Sequence, residues 1–174
     1  TRCKTFENKT NTIDENGVTP RSVCVIVSGG DAQEIAAIMH AKKSMGSSWY
    51  GNTNVTVLNI YNEPDVVSIY RPDIKNISFH IQITTNESYS ADTADAISLN
   101  LSNYVNALDI GDNILQNKLY GPANLYGDEK SKTYEVASIT TKVDGVDVVG
   151  DYTLPFGCVA FCDASTIAIE VTNG

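Results

Sequence analysis

Two histidines, His40 and His80, are the side chains best suited to general acid–base chemistry near neutral pH. A Ser-His-Asp or Cys-His arrangement would place one of them beside a nucleophile, and no local motif such as GxSxG accompanies either. His40 falls on the polar side of its predicted helix, and His80 on the solvent-facing side of its predicted strand. We therefore predict no catalytic residue and expect that the protein is not an enzyme.

The residues closest to a metal-binding set are the four cysteines, Cys3, Cys24, Cys158 and Cys162. A structural zinc site usually combines CxxC pairs, or cysteine with histidine. Cys158 and Cys162 are spaced four apart with no histidine nearby, and Cys24 lies inside an apolar run. We predict no metal site, and free, mostly buried thiols in a reducing compartment.

Acidic residues cluster in two short stretches, but neither has the spacing of a calcium loop. The ligands of such a loop alternate over about twelve residues and end with a glutamate. The residues concerned are Asp109 and Asp112, and Asp144, Asp147 and Asp151. Solvated turns are the better interpretation.

The glycine turn at Gly29 and Gly30 resembles a phosphate cradle, because helix N-termini attract anions. Asp31 occupies that position with a negative charge of its own, and neither a Walker lysine nor GxGxxG follows. We predict no nucleotide site and no cofactor.

Composition describes a folded globular protein: 42% of the 174 residues are hydrophobic and 19% are charged. The formal net charge of −9 argues against nucleic acid as a partner, since binding a phosphate backbone requires clustered Lys and Arg. No apolar stretch approaches the roughly 20 residues that span a bilayer, so we expect no membrane insertion. Because the sequence begins at Thr1 and not Met, we expect it to be part of a longer parent chain.

The clearest element is a helix that follows the apolar strand 23–27 and the glycine turn. Asp31 stands at the N-cap position, where its carboxylate can accept from free amides of the first turn. Ile35, Ile38 and Met39 predict one apolar stripe at helical spacing. Lys42 and Lys43 are predicted for the last turn, where the helix dipole favours cations.

The whole pattern predicts an α+β fold, with helices packed on mainly antiparallel or mixed β-sheets in two small subdomains. The boundary is placed at Arg71-Pro72-Asp73, which gives domains 1–72 and 73–174. The first domain also has predicted strands at 2–6, 53–60 and 66–70. The second has an alternating strand around 77–83, helices at 91–108 and 114–120, a hairpin of strands 134–143 and 146–149, and a final strand at 166–171.

Three side chains are candidates for subunit contacts. Trp49 and Tyr50 lie beside glycines in a predicted loop, and aromatic residues are favoured at protein interfaces. The alternative is that they fold back over the end of the helix. Leu99 projects from the polar side of the long helix, although a single exposed leucine is ordinary.

Several spaced segments over the first fifty residues resemble the baseplate J-like family of contractile-tailed bacteriophages and related phage-tail-like particles. The segments are Phe6-Glu7-Asn8-Lys9-Thr10, 14–23 (DENGVTPRSV), Val27-Ser28-Gly29-Gly30-Asp31, Lys42-Lys43 and Tyr50-Gly51. Tyr70-Arg71-Pro72 is also similar to a step that this family shows before an alternating strand. From there to Gly174 the similarity is one of pattern.

The resemblance implies a structural component of a baseplate wedge, present in the virion and assembled in the cytoplasm of the bacterial host. Its partners would be other wedge proteins and copies of itself. No cofactor and no catalytic residue are implied. Two other classes stay open: a surface adhesin or carbohydrate-binding module that uses Trp49 and Tyr50, and an enzyme built around His40 or His80.

Overall fold

A computed structural model describes residues 2–43 and 46–174 of the chain. The chain divides into two compact units, unit 1 at Thr1–Asp73 and unit 2 at Ile74–Gly174. The predicted boundary, after Pro72, lies one residue earlier in the chain. The chain contains both helices and strands, and the strands form mixed and antiparallel sheets, so the predicted α+β class is confirmed.

Unit 1 contains one helix and five strands among its described residues. They are β1 (Arg2–Asn8), β2 (Ser22–Ser28), α1 (Ala32–Ala41), β3 (Ser48–Tyr50), β4 (Thr53–Leu58) and β5 (Pro64–Ile69). The first three strands form a sheet in the order β1-β2-β3, with β1 antiparallel and β3 parallel to β2. The antiparallel hairpin β4-β5 is a second sheet, and Tyr70 extends it to β2 by a parallel bridge to Ile26.

The N-terminus of α1 forms as predicted. The Asp31 carboxylate accepts hydrogen bonds from the amides of Gln33 and Glu34, at 2.9 and 3.0 Å. The C-terminus differs, because the helix ends at Ala41 and Lys42 is its C-cap. The two lysines therefore follow the last turn and do not lie within it.

The predicted apolar stripe of α1 is only partly buried. Ala36 and Met39 pack into a core with side chains of β2, β4 and β5, and Ile35 lies at its margin. Ile38 is 58% exposed, so its placement in the buried stripe is wrong. Ile38 instead lines an open groove between the helix and the β1-β2-β3 sheet.

Two further predictions for unit 1 are corrected. The stretch around Trp49 and Tyr50 is not a loop, because pairing with β2 supplies backbone partners for Ser48–Tyr50. The strand expected to reach Ile60 ends at Leu58, and Ile60 is 90% exposed in the following turn.

Unit 2 is built on the long strand β6 (Asp73–Thr85), whose first residue closes unit 1. Its other elements are α2 (Asp92–Ala107), α3 (Gln116–Ala123), β7 (Tyr134–Val143), β8 (Val146–Val148), β9 (Cys158–Phe161) and β10 (Ala168–Asn173). Short 3₁₀ turns lie at Leu125–Gly127, Glu129–Thr133 and Ala164–Thr166. The sheet order is β10-β6-β7-β8, and β9 also pairs with β6.

The alternation in β6 is confirmed, since its four predicted inward side chains are almost fully buried. They are Ile77, Phe79, Ile81 and Ile83. Three apolar residues of α2 pack on the same core at full burial, Ile97, Leu101 and Val105. Periodicities of two and 3.6 thus meet in one apolar layer.

The hairpin β7-β8 also forms as predicted. Asp144 and Gly145 both have positive φ, +50° and +85°, which is the conformation that matches the twist of a two-residue hairpin.

Three elements of unit 2 differ from expectation. Helix α3 starts at Gln116, because Ile114 instead forms a β-bridge with Tyr152, and it continues through Pro122, whose missing amide removes a single intrahelical bond. Strand β9 was missed. The last strand starts at Ala168 and not at residue 166, because Asp163 caps a 3₁₀ turn there by accepting from the Ser165 amide.

Candidate functional site

The residues that carry the family resemblance make their contacts within unit 1. The Asn8 side chain donates to the carbonyls of Thr12 and Val18, both at 2.8 Å. The Asp14 carboxylate accepts from the amides of Asn16 and Val18, both at 2.9 Å. These contacts fold the long β1–β2 connection onto itself, so the segment acts as a shaped loop.

The glycine turn before α1 is held by Arg71. One guanidinium nitrogen, Nη1, donates to the carbonyls of Val27 and Gly29 at 3.1 and 2.7 Å, and Nη2 donates to that of Gly30 at 2.9 Å. Both glycines have φ of +78°, a conformation that a side chain would strain. The turn therefore presents carbonyls to an internal cation, whereas a phosphate cradle presents amides.

Gly51 is required by a close approach of two backbones. A Cβ built on it would lie 2.4 Å from the carbonyl carbon and oxygen of Ile69. Beside it, the rings of Tyr50 and Tyr70 stack at 6.3 Å between centroids. The Tyr50-Gly51 step thus fits the β3–β4 connection against the end of β5.

Unit 1 contains an apolar groove of about 450 Å³. It lies between α1 and the face of the β1-β2-β3 sheet that bears the odd-numbered residues of β2. Its walls are Cys3, Thr5, Val23, Val25, Val27, Ile35, Ile38, Met39, Lys42 and Trp49. Lys42 is the only one of these with a formal charge, which makes the groove suited to an apolar side chain and unsuited to acid–base chemistry. We name it the α1 groove.

The structure separates the predicted contact residues. Trp49 is partly buried, packs on the unit 1 core and lines the α1 groove. Its indole nitrogen is buried with no hydrogen-bond partner in the described part of the chain. Tyr50 points to the opposite face of the sheet, toward Tyr70. Only Trp49 packs toward α1, and neither aromatic residue projects from a loop. Leu99, on α2 of unit 2, is 55% exposed.

Each histidine pairs with a carboxylate. His40 Nε2 is 3.1 Å from Asp65 Oδ2, and the same oxygen is 4.0 Å from Lys43 Nζ. The pKa of Asp65 is lowered, first by the hydrogen bond from the Val66 amide and then by His40 and Lys43. The hydrogen bond between His40 and Asp65 joins α1 to β5.

His80 takes part in a polar network across the outer face of the unit 2 sheet, which the sequence analysis missed. Ser138 donates to Gln82 Oε1 at 2.8 Å, Gln82 donates to Glu170 Oε2 at 3.0 Å, and that oxygen is 3.6 Å from His80 Nε2. The network links β7, β6 and β10. The period of two placed these side chains outward, but the pairing that brings them together comes from strand order.

Residues of the acidic clusters accept hydrogen bonds from other segments of unit 2. Asp144 accepts from Lys75 Nζ at 2.8 Å and from the Asn76 amide at 3.0 Å, and these bonds lower its pKa. Asp151 accepts from the amide of Gln116 at 2.8 Å. Within residues 2–43 and 46–174, no group of three or more His, Cys, Asp or Glu side chains is placed to hold a metal ion.

The buried cysteines are poor nucleophiles. Burial raises the pKa of Cys24 to about 11, with a further contribution from the Asp14 charge. Burial likewise raises the pKa of Cys162 to about 11. Since the thiolate is the reactive form, both side chains remain inert apolar groups at neutral pH. All four cysteines are free thiols.

No family model matches the chain, and no curated protein matches its sequence. In the part of the chain that the structure describes, no helix is long and apolar enough to cross a membrane.

Proposed function

We propose that this chain is a structural component of a contractile phage tail baseplate, or of a related phage-tail-like particle. In this role it assembles with neighbouring wedge subunits and with copies of itself. It belongs to the virion and is assembled in the cytoplasm of the bacterial host. No step of chemistry is assigned to it.

The observation that carries the proposal is that the residues of the family motif determine the backbone conformation of unit 1. The residues concerned are Asn8, Asp14, Gly29, Gly30, Asp31, Gly51 and Arg71. Each shapes the backbone of unit 1 through a cap, a turn or a close approach. A family signature built from such residues supports a scaffold, because an enzyme signature would instead gather titratable groups at one place.

Exposed apolar side chains supply further support. At the tip of the β4-β5 hairpin, Leu58, Ile60, Tyr61 and Val66 are all more than half exposed. Together with the α1 groove they give unit 1 two apolar surfaces. Contiguous exposed apolar surface is typical of proteins that assemble with others.

The proposal is tested in tail particles. A strain that lacks the gene is complemented with the tagged chain, and tails are purified by sedimentation. We expect the tag in assembled particles, and tails that lack a complete baseplate when the gene is absent. Normal contractile tails from the deletion strain, without the chain in complemented particles, would contradict the proposal.

The alternative, a surface adhesin or carbohydrate-binding module, requires an exposed aromatic platform. Trp49 and Tyr50 are both partly buried and lie on opposite faces of the sheet, so no observation favours this function over assembly. A glycan array with the purified chain checks it, and a specific glycan signal that Trp49→Ala abolishes would revive it.

A further inference from the structure

The face of α1 that borders the α1 groove carries an unusual arrangement of charge. Asp31, Ile35, Ile38 and Lys42 fall within a sector of about 60° at 100° per residue. Ile35, Ile38 and Lys42 line the groove directly, and Asp31 and Lys42 are exposed. We call these four residues the α1 stripe.

The α1 stripe has the same spacing when it is read in either direction. Its residues are separated by four, three and four positions, with an acid at one end, a base at the other and two isoleucines between them. An antiparallel copy of the helix would place Asp31 opposite Lys42 and Ile35 opposite Ile38, twice over. A surface with this property is self-complementary about a twofold axis, as an isologous dimer contact requires.

The net charges of the two units favour a contact between copies through unit 1 over one through unit 2. Residues 1–73 carry seven Lys and Arg against eight Asp and Glu, whereas residues 74–174 carry five against thirteen. Two copies that meet through unit 2 would therefore bring together strongly acidic surfaces. Unit 1 is nearly neutral, so its apolar surface can approach a second copy without that repulsion.

We propose that the α1 stripe is a homodimer contact, in which the α1 helices of two copies pack antiparallel about a twofold axis. Ile38 of each copy lies at the mouth of the partner copy's α1 groove. Asp31 of each copy pairs with Lys42 of the other. The Asp31 oxygen that caps the helix is Oδ1, which leaves Oδ2 for the intermolecular pair.

This inference gives a surface to the self-association contained in the proposed function and is tested on the purified chain alone. If the purified chain does not dimerise, the proposed baseplate role is still decided by the experiment on tail particles. Equally, a dimer formed by a chain that is absent from tail particles would uphold the contact and not the tail role.

The first experiment is sedimentation velocity over a range of concentrations, with two matched variants. Ile38→Asp and Leu99→Asp each place a carboxylate at a helix position of nearly equal exposure, 58% and 55%. We expect wild type and Leu99→Asp to dimerise alike, and Ile38→Asp to weaken the dimer by about 100-fold or more, because two buried isoleucines are lost per dimer. Circular dichroism confirms that both variants are folded.

Three results would overturn the contact. The first is a wild-type chain that stays monomeric up to about 1 mM, because this leaves less than about 4 kcal/mol of association free energy. The second is an equal effect of both variants on dimerisation, and the third is loss of the dimer in Leu99→Asp alone. The last result would move the interface to α2.

A double-mutant cycle tests the twofold pairing itself. Asp31→Asn keeps a good N-cap while removing the charge, and Lys42→Gln removes the opposite charge. Within one chain the two positions are about 16 Å apart, at 1.5 Å per residue, so they are screened from each other at about 0.15 M salt. Each variant weakens the dimer by some factor. We expect the factor for the double variant to be at least about 3-fold smaller than the product of the factors for the two single variants. Strictly multiplicative losses would overturn the antiparallel arrangement.

Discussion

The guanidinium of Arg71 donates to the carbonyl of Gly29 at 2.7 Å, although the two residues are 42 positions apart. The same side chain reaches Val27 and Gly30, and its own backbone is held by the Asn52 side chain through two bonds of 2.8 Å. One residue thereby connects the start of α1 to the end of β5. Its geometry leads to the first prediction.

Arg71→Lys should destabilise unit 1 although it conserves the charge. A single ammonium cannot reproduce the fork that meets three carbonyls. We expect the free energy of unfolding to fall by about 1–3 kcal/mol, measured by urea denaturation. Arg21→Lys is the matched control, because Arg21 donates to Asn11 at an exposed site, and its effect should stay within about 0.5 kcal/mol. Equal effects would mean that the three carbonyl contacts contribute nothing.

Gly51→Ala should be among the most damaging single-methyl additions in the chain. The new Cβ would meet backbone atoms of Ile69 at 2.4 Å, and backbone cannot move aside as a side-chain tip can. We expect a loss of several kcal/mol, about 3 or more, in thermal or urea unfolding of unit 1. The control is Gly121→Ala inside α3, where the new Cβ has ordinary contacts of 3.6 Å or more with the Tyr126 ring. That change should be neutral or should stabilise by up to about 1 kcal/mol, because glycine is a poor helix former.

The Asp65 ion pair predicts a pH dependence with a definite sign. Its pKa is lowered in the folded protein, so the unfolded state binds the proton more readily. The contribution of Asp65 to stability is therefore present above the unfolded-state pKa of about 4 and is lost as pH falls through the lower folded value. The difference in unfolding free energy between wild type and Asp65→Asn should narrow as pH falls below about 4.

Urea titrations at a series of pH values measure this difference. Glu15→Gln, at an exposed position in the β1–β2 connection, serves as the control. An Asp65→Asn difference that stays constant down to the acid limit of folding would contradict the assignment.

One of the four cysteines should react rapidly with a thiol reagent in the folded chain, and the other three should react slowly. Cys3 is exposed, whereas Cys24, Cys158 and Cys162 are buried, and burial holds the pKa of Cys24 and Cys162 near 11. A disulfide-exchange reagent at pH 8 should therefore modify one thiol rapidly in the folded chain and all four in urea. Cys3→Ser should abolish the rapid phase. A thiol that still reacts rapidly in the Cys3→Ser variant would contradict the prediction, because it would show that a buried cysteine is accessible.

Elements whose signals are local could be predicted from sequence. The alternation of Ile77, Phe79 and Ile81 fixed the inner face of β6, and the N-cap of α1 followed from Asp31 alone. The hairpin turn at Asp144 and Gly145 likewise depends on neighbouring residues. Each of these features arises from dihedral preferences and burial within about ten residues.

Features that arise from pairing between distant segments were not predictable. The three residues of β3 become a strand only because β2 lies beside them, and β9 forms only against β6. The displacement of Ile38 from the core has the same origin, since periodicity places it on the apolar side but only the sheet decides how far burial extends. The scaffold role of Arg71 is equally hidden, because its partners are more than forty positions away.

The position of Arg71 has a mechanical consequence. It lies two residues before the end of unit 1, so a stretching force on the chain at Asp73 reaches this side chain before it reaches the β4-β5 hairpin. Five hydrogen bonds, three from the guanidinium and two with Asn52, hold this residue to two separate segments of unit 1. A pull on the end of unit 1 would therefore have to break contacts with the segment that follows β2 as well as with the β3–β4 connection.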